Sequence, residues 1–255
     1  MKAMSLYVSR RSAVHDVDPI TKLYYVAMAI VLPFIIPSFH AAWVCLLVSA
    51  ALLLIGKVLR NALPMLGFVA FVLSTVIVIQ SLFYPGNEHA MFYIGSLGWY
   101  EEGFLYGLGI SFRALNIVCA FAILVLTAKP SDLVEALVRK GLSPRIGYVM
   151  SSVFQIIPQM VATMGTITDA QRSRGMETEG NLLVRTKAFL PLLGPVVLSS
   201  LLNTKERALA LQVRGFNASG AKTFLYEQQS YRYSTHLRWA FAGIVLIAVV
   251  WRIVA

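Results

Sequence analysis

Charge is what this sequence lacks most. Only 13% of its 255 residues are Asp, Glu, Lys or Arg, about half the share usual in a soluble domain. With 58% hydrophobic residues and a mean hydropathy of +0.70, so little polar surface cannot cover so apolar an interior, and lipid must solvate much of the chain. Acidic residues are scarcer still, 12 against 22 Lys and Arg for a net charge of +10. The basic excess lies between the apolar runs, which suits a cytoplasmic face near anionic lipid or an acidic partner and gives no reason to invoke nucleic acid. Cysteine is limited to Cys45 and Cys119, each inside an apolar run without a CxxC neighbour, so both read as packing residues. His15, His40, His89 and His236 are scattered and show no zinc spacing. A phosphate-binding loop is missing too, since no strand precedes Gly107-x-Gly109. Met1 to Lys22 is polar and holds no short apolar stretch of the signal-peptide kind.

What the sequence does have is long apolar runs. Five are long enough, or nearly so, to cross a bilayer: Leu23 to Pro37, Ala41 to Gly56, Ala62 to Tyr84, Gly103 to Ala128, and Trp239 to Val254. The connections alternate in sign. Lys2, Arg10, Arg11 and Lys22 precede the first run; the next connection has no Lys or Arg; the third has Lys57 and Arg60; the fourth has Glu88, Glu101 and Glu102. The stretch from Lys129 to Arg238 holds 14 of the 22 basic residues. By the positive-inside rule the N-terminus and the 129–238 stretch are expected in the cytoplasm and the C-terminus outside. The expected class is therefore an all-α polytopic membrane protein of the cell (inner) membrane. Residues 1–128 would carry spans one to four, 129–236 a cytoplasmic region, and 237–255 a last span.

Two segments inside the cytoplasmic region are also uncharged, Ile146 to Thr168 and Ala188 to Thr204. As a transmembrane hairpin they would place Arg172, Arg174, Arg185 and Lys187 outside, against the rule. In the first segment Ile146, Val149, Val153, Ile157, Met160, Met164 and Ile167 recur every three or four residues, while Ser151, Ser152, Gln155, Gln159, Thr163 and Thr166 fill much of the rest. That pattern predicts an amphipathic helix. Long helices on or tilted into the cytoplasmic interface are expected, with true spans as the alternative. Pro158, Pro191 and Pro195 should bend or break them. A shorter helix should precede them, capped by Ser131 and stopped by Gly141. Within the spans, Gly103-xxx-Gly107 should let a neighbouring helix approach closely.

One feature is repeated. Ala170-Gln-Arg-Ser173-Arg174-Gly175 recurs as Ala210-Leu-Gln-Val213-Arg214-Gly215, 40 residues on. Each copy follows a long apolar helix, and each glycine can end its helix by taking a positive φ. Two helix caps with snorkelling arginines would explain each copy singly. The pair suggests more: two similar tips, each presenting a planar guanidinium suited to bidentate pairing with a carboxylate, imply two similar acceptors.

At these residues the chain resembles the T component of energy-coupling-factor (ECF) transporters, the family that includes the cobalt-transport permease subunits. Asp18-Pro19-x-x-Lys22-Leu23 looks like the family's motif leading into the first span. Thr127 with Pro130-Ser131-Asp132-Leu133 looks like its junction with the coupling region, and Phe154-Gln-Ile-Ile-Pro158 like its aromatic-x-x-x-Pro stretch. Ser173 and Val213 stand where the family usually has Ala before the arginine. The resemblance implies a membrane subunit that hydrolyses nothing and binds no cofactor. Two ABC-type ATPases using ATP and Mg would bind the tips through Ala170, Ser173, Arg174, Gly175, Ala210, Val213, Arg214 and Gly215. A small membrane-embedded S component would capture the substrate.

Arg113 is the one charge deep inside a span, and it is either a functional group or a buried arginine held by carbonyls. A conventional permease with its own substrate site is the competing reading. It would need facing polar residues, and Gln80, Arg113 and Asn116 offer few. A membrane-embedded enzyme would need a cluster of catalytic side chains at the bilayer edge, which the Glu101-Glu102 pair and the lone histidines do not make.

Overall fold

The computed structural model describes residues 7–254 except 9, 11, 95–96, 176–180, 219, 221–223 and 225–232, and the backbone alone at 94, 97 and 182–190. The chain runs α1 (Ala13–Asp16), α2 (Pro19–Ile35), α3 (Phe39–Ile55), α4 (Leu59–Phe83), β1 (Ala90–Ile94), β2 (Leu97–Tyr100), α5 (Glu101–Thr127), α6 (Pro130–Arg139), α7 (Pro144–Ser173), α8 (Leu182–Val213) and α9 (Ser234–Val254). The protein is thus an all-α polytopic membrane protein with one small antiparallel hairpin.

Local chemistry sets many of the ends. Pro19 at the first position of α2 fits where its missing N–H costs nothing. Ser38 caps α3 by accepting from the Ala41 amide at 3.2 Å. Glu101 and Glu102 occupy the first turn of α5, where the helix dipole favours negative charge. The predicted cap of α6 is different in the structure. Lys129 is the N-cap and Pro130 the first helical residue, while Ser131 Oγ turns away to Asp132 Oδ1 at 3.0 Å. Gly141, at φ +113°, does follow the end of α6.

Among the described residues, α4, α5, α7 and α9 are long and apolar enough to cross a membrane. At 17 residues each, α2 and α3 are shorter apolar helices, about 25 Å long against a hydrocarbon core of about 30 Å. The most apolar window of α4 has a mean hydropathy of 2.5 and is only 6% buried within the chain. Lipid or another protein must cover the rest of that helix. The prolines break nothing: α7 continues through Pro158 and α8 through Pro191 and Pro195. A proline removes one backbone donor, and membrane helices tolerate that where the freed carbonyl finds another partner.

The chain divides into two compact units, one of Gly141–Glu227 and one of Ser5–Lys140 with Gln228–Ala255. In the second, α5 packs against α2, α3 and α4, and α9 packs against α2. A polar thread ties its core. Asn116, fully buried, donates from Nδ2 to the Ala29 carbonyl at 2.7 Å and accepts from Ser49 Oγ at 2.6 Å, while Tyr25 OH meets the same Ser49 oxygen at 2.7 Å. In an apolar surround each of these groups would be costly alone, and together they fix α2, α3 and α5 in register. The glycine pair of α5 behaves as its spacing predicts. A Cβ at Gly103 would collide with the Gln80 carbonyl, and one at Gly107 would lie 3.0 Å from the Ile77 Cα, so α4 packs directly on the α5 backbone.

The hairpin was not anticipated. Met91, Phe92 and Tyr93 are exposed, and Phe92 stacks on Trp99 with centroids 5.7 Å apart and planes 9° apart. Its signal was present in two short aromatic-rich runs on either side of Gly95 and Ser96, a strand-and-turn pattern overshadowed by the neighbouring spans.

Candidate functional site

The unit Gly141–Glu227 carries both repeated tips. Arg207 on α8 donates from Nη2 to Gln159 Oε1 on α7 at 2.8 Å, and the rings of Tyr148 and Phe216 sit 5.4 Å apart. A later position on α7 thus meets an earlier one beyond or on α8, so the two helices run antiparallel. Gln159, Thr163, Ser200, Asn203, Thr204 and Arg207 line the groove between them. The outward faces are apolar: Val149 is 60% exposed on α7, and Leu198 and Leu201 are 60% and 62% exposed on α8. This reverses the amphipathy of a soluble helix pair. Polar groups face inward and leucines outward, which suits surroundings of lipid or an apolar partner surface.

Antiparallel packing separates the tips. Arg174 lies 15 residues beyond Gln159 and Arg214 seven beyond Arg207, in opposite directions. At 1.5 Å per residue the two guanidinium-bearing ends are on the order of 30 Å apart. Both ends are built alike. Gly175 and Gly215 have φ of +87° and +71°, in the left-handed region that glycine adopts without penalty. The Gly215 amide donates to the Gln212 carbonyl at 3.0 Å and the Phe216 amide to the Leu211 carbonyl at 3.0 Å, the paired bonds of a Schellman stop. At the first tip the equivalent Gly175 bond goes to the Arg172 carbonyl at 2.9 Å.

All eight tip residues, Ala170, Ser173, Arg174, Gly175, Ala210, Val213, Arg214 and Gly215, are exposed, Val213 by 90%. Ser173 Oγ donates to the Asp169 carbonyl at 3.1 Å, which folds its polar group back on the helix. Val213 therefore differs from Ser173 only in apolar bulk on the accessible side. Residues 176–180 fall outside the described residues, as do the side chains of Arg185 and Lys187, whose charges argue against a transmembrane hairpin.

A second cluster lies in the unit Ser5–Lys140 with Gln228–Ala255, where the Asp18-Pro19-x-x-Lys22 motif falls. Lys22, 4% exposed, donates from Nζ to the Thr127 carbonyl at 3.0 Å and to the His15 carbonyl at 3.4 Å. Asp18, 5% exposed, pairs with Arg238 at the start of α9, and Arg238 Nε also donates to Thr21 Oγ1 at 3.0 Å. The first turn of α2 thus holds the end of α5, just before the chain leaves for the other unit, and the start of α9, just after it returns. Sequence spacing could not bring residues 22 and 127, or 18 and 238, together. Their only trace was charge at the foot of apolar runs.

Arg113 lies elsewhere, midway along α5. It is half-buried, and its Nε is fully buried without a hydrogen-bond partner. Among the described residues no group of three or more His, Cys, Asp or Glu side chains could hold a metal ion.

Comparison with known proteins places these features in context. The family described as cobalt transport protein matches residues 10–224. The energy-coupling factor transporter transmembrane protein of Lactococcus lactis subsp. cremoris is 28% identical over 235 residues, covering 86% of each chain. That of Staphylococcus aureus is 29% identical over 262 residues, covering 96% of this chain and 91% of the relative. That of Bacillus subtilis is 25% identical over 232 residues, covering 85% of each.

Proposed function

The chain belongs to the cobalt transport protein family, as a T component of the energy-coupling-factor type, and from that premise we propose how it couples ATP hydrolysis to uptake. Two ABC-type ATPase subunits dock on the cytoplasmic side, one on the Arg174 tip and one on the Arg214 tip. The observation that carries this reading is the placement of two like-built, exposed arginine tips at opposite ends of one antiparallel helix pair. A single partner has no need of two equivalent points about 30 Å apart, whereas a pair of similar subunits does.

Each guanidinium enters a groove on its ATPase and pairs bidentately with a carboxylate there. Gly175 and Gly215 end the helices so that the arginine lies at the outermost turn. When the ATPases close on ATP and Mg and reopen after hydrolysis, the distance between their docking grooves changes and the α7–α8 pair is driven. The polar groove around Gln159 and Arg207 holds the two helices together during that movement. The outward leucines and valines of α7 and α8 face the membrane interface and a small membrane-embedded S component, whose tilt releases its substrate inward. Specificity for a vitamin, vitamin precursor or transition-metal ion resides in that component. The chain itself binds neither nucleotide nor metal. Its N-terminus and coupling region are cytoplasmic and its C-terminus is outside, following the loop charges.

The test is the pair Arg174→Ala and Arg214→Ala. Breaking one side of a buried charge pair costs about 3–5 kcal/mol. Each single variant should weaken capture of the ATPases or uncouple hydrolysis from transport. The double variant should be far worse, because the two points act through effective concentration. Lysine should rescue only in part. Lys205→Ala, exposed on α8 but outside both tips, is the control. A double variant that assembles and transports at the wild-type rate would reduce both arginines to helix caps.

A further inference from the structure

We propose that Arg113 is a docking point inside the membrane for a carboxylate on a transmembrane helix of the small substrate-binding partner, an inference that rests on the functional reading above. Twelve residues separate Arg113 from the start of α5 and 14 from its end, about 18 Å and 21 Å of helix. That places it near the middle of a hydrocarbon core about 30 Å thick. A guanidinium at that depth needs an acceptor, and its buried Nε has no hydrogen-bond partner in the chain.

The candidate acceptors can be eliminated in turn. α2, α3, α4 and α9 contain no Asp or Glu, and those of α5 are Glu101 and Glu102 at its outer end. Neither this chain nor a second copy of it can therefore supply a carboxylate at this depth. Lipid phosphates lie beyond the core, roughly 15 Å or more from the midplane, farther than one side chain reaches. The ATPases are soluble and remain at the cytoplasmic surface. A membrane-embedded partner is left.

The local surface has room for one. Helical side chains lean toward the N-terminal turn, and the position one turn before Arg113 is Gly109. A Cβ there would meet nothing within 4 Å. Tyr106, one turn further on the same face, is 47% exposed. The guanidinium thus borders an open stripe of α5 beside Gly109, where another helix can approach closely.

The experiment compares wild type with Arg113→Met and Arg113→Lys, each purified as the full transporter in mild detergent and also as the full-length chain alone. Arg113→Met should lower retention of the small membrane partner at least tenfold while both ATPases stay bound, and Arg113→Lys should retain part of it. Alone, Arg113→Met should melt at or above the wild-type temperature, because it removes a charge the chain does not satisfy. Changing a membrane-embedded Asp or Glu of the partner to its amide should reproduce the loss, and combining it with Arg113→Met should add little. Unchanged partner retention overturns the proposal. So does a lower melting temperature of Arg113→Met alone, which assigns the guanidinium to the fold. An equal loss of partner only in phosphatidylglycerol-free preparations of wild type would assign it to lipid and also overturn it. A wild-type preparation that captures neither ATPases nor a small membrane protein would instead sink the functional reading, and that outcome does not involve residue 113.

Discussion

Lys22 reaches across 105 positions of sequence to donate from Nζ to the carbonyl oxygen of Thr127 at 3.0 Å. Thr127 ends α5, and the last carbonyls of a helix have no partner within it. The ammonium therefore satisfies an orphan acceptor and complements the negative end of the α5 dipole in one contact. The adjacent Asp18–Arg238 pair anchors α9 to the same turn of α2. Any force passing between the coupling region and the spans meets the bundle where these groups sit.

Lys22→Met should destabilise the chain by about 1–3 kcal/mol, the usual cost of stranding buried polar groups, since it abandons both the Thr127 and His15 carbonyls. Thermal melting in detergent measures it. Lys22→Arg should be intermediate, because a planar fork cannot reproduce the geometry of a compact ammonium. A melting temperature unchanged by Lys22→Met would show that solvent or lipid replaces the bond.

The α5 glycines should rank by what their Cβ would meet. Gly103→Ala strikes backbone at Gln80 and the Asn87 side chain, Gly107→Ala presses on Ile77, and Gly109→Ala meets nothing. Gly103→Ala should be the most damaging, on the order of 1–3 kcal/mol as for other overpacked contacts. Gly109→Ala should be neutral or slightly stabilising for a helix. Equal melting temperatures for Gly103→Ala and Gly109→Ala would mean that α4 and α5 do not pack as described.

His89 should titrate above its usual value of 6.5, because Glu102 accepts from its Nδ1 at 2.6 Å and adds attraction to the charged ring. A raised folded pKa means that the pair's contribution is complete below the unfolded value and fades as pH rises through the folded one. Neutral imidazole reacts with diethyl pyrocarbonate, so the reactivity midpoint of His89 should lie above that of a free histidine. Glu102→Gln should lower that midpoint, and an unmoved midpoint would show that the pair does not form in solution.

Orientation is testable with single cysteines after Cys45 and Cys119 are replaced. A cysteine at Glu88 should react with an impermeant reagent added outside intact cells, and one at Lys140 should react only after permeabilisation. The opposite pattern would invert the topology inferred from the loop charges.

The apolar runs and the two tips were legible in the sequence because their causes are local. Lipid selects unbroken apolar residues, so α4 and α5 lie within a few residues of Ala62 to Tyr84 and Gly103 to Ala128. A helix stop needs only a residue that accepts positive φ, so Gly141, Gly175 and Gly215 are where they were expected. Even the close approach at Gly103 and Gly107 follows from the absence of a side chain. Local rules also misled. Pro158, Pro191 and Pro195 forbid one hydrogen bond each but do not decide whether a helix continues, because neighbouring groups can accommodate the gap. Ser131 is a good capping residue that capped nothing, since Pro130 had already begun the helix.

Only the tertiary structure decided how distant pieces meet. No period or motif shows that α7 and α8 run antiparallel, yet that alone sends Arg174 and Arg214 to opposite ends. Nor could spacing pair Lys22 with Thr127 or Asp18 with Arg238, which are 105 and 220 positions apart. The composition of each segment is set by its immediate solvent, whether lipid or water. Contacts between segments depend on which surfaces remain when all of them pack at once, a property of the whole arrangement that no single stretch of sequence contains.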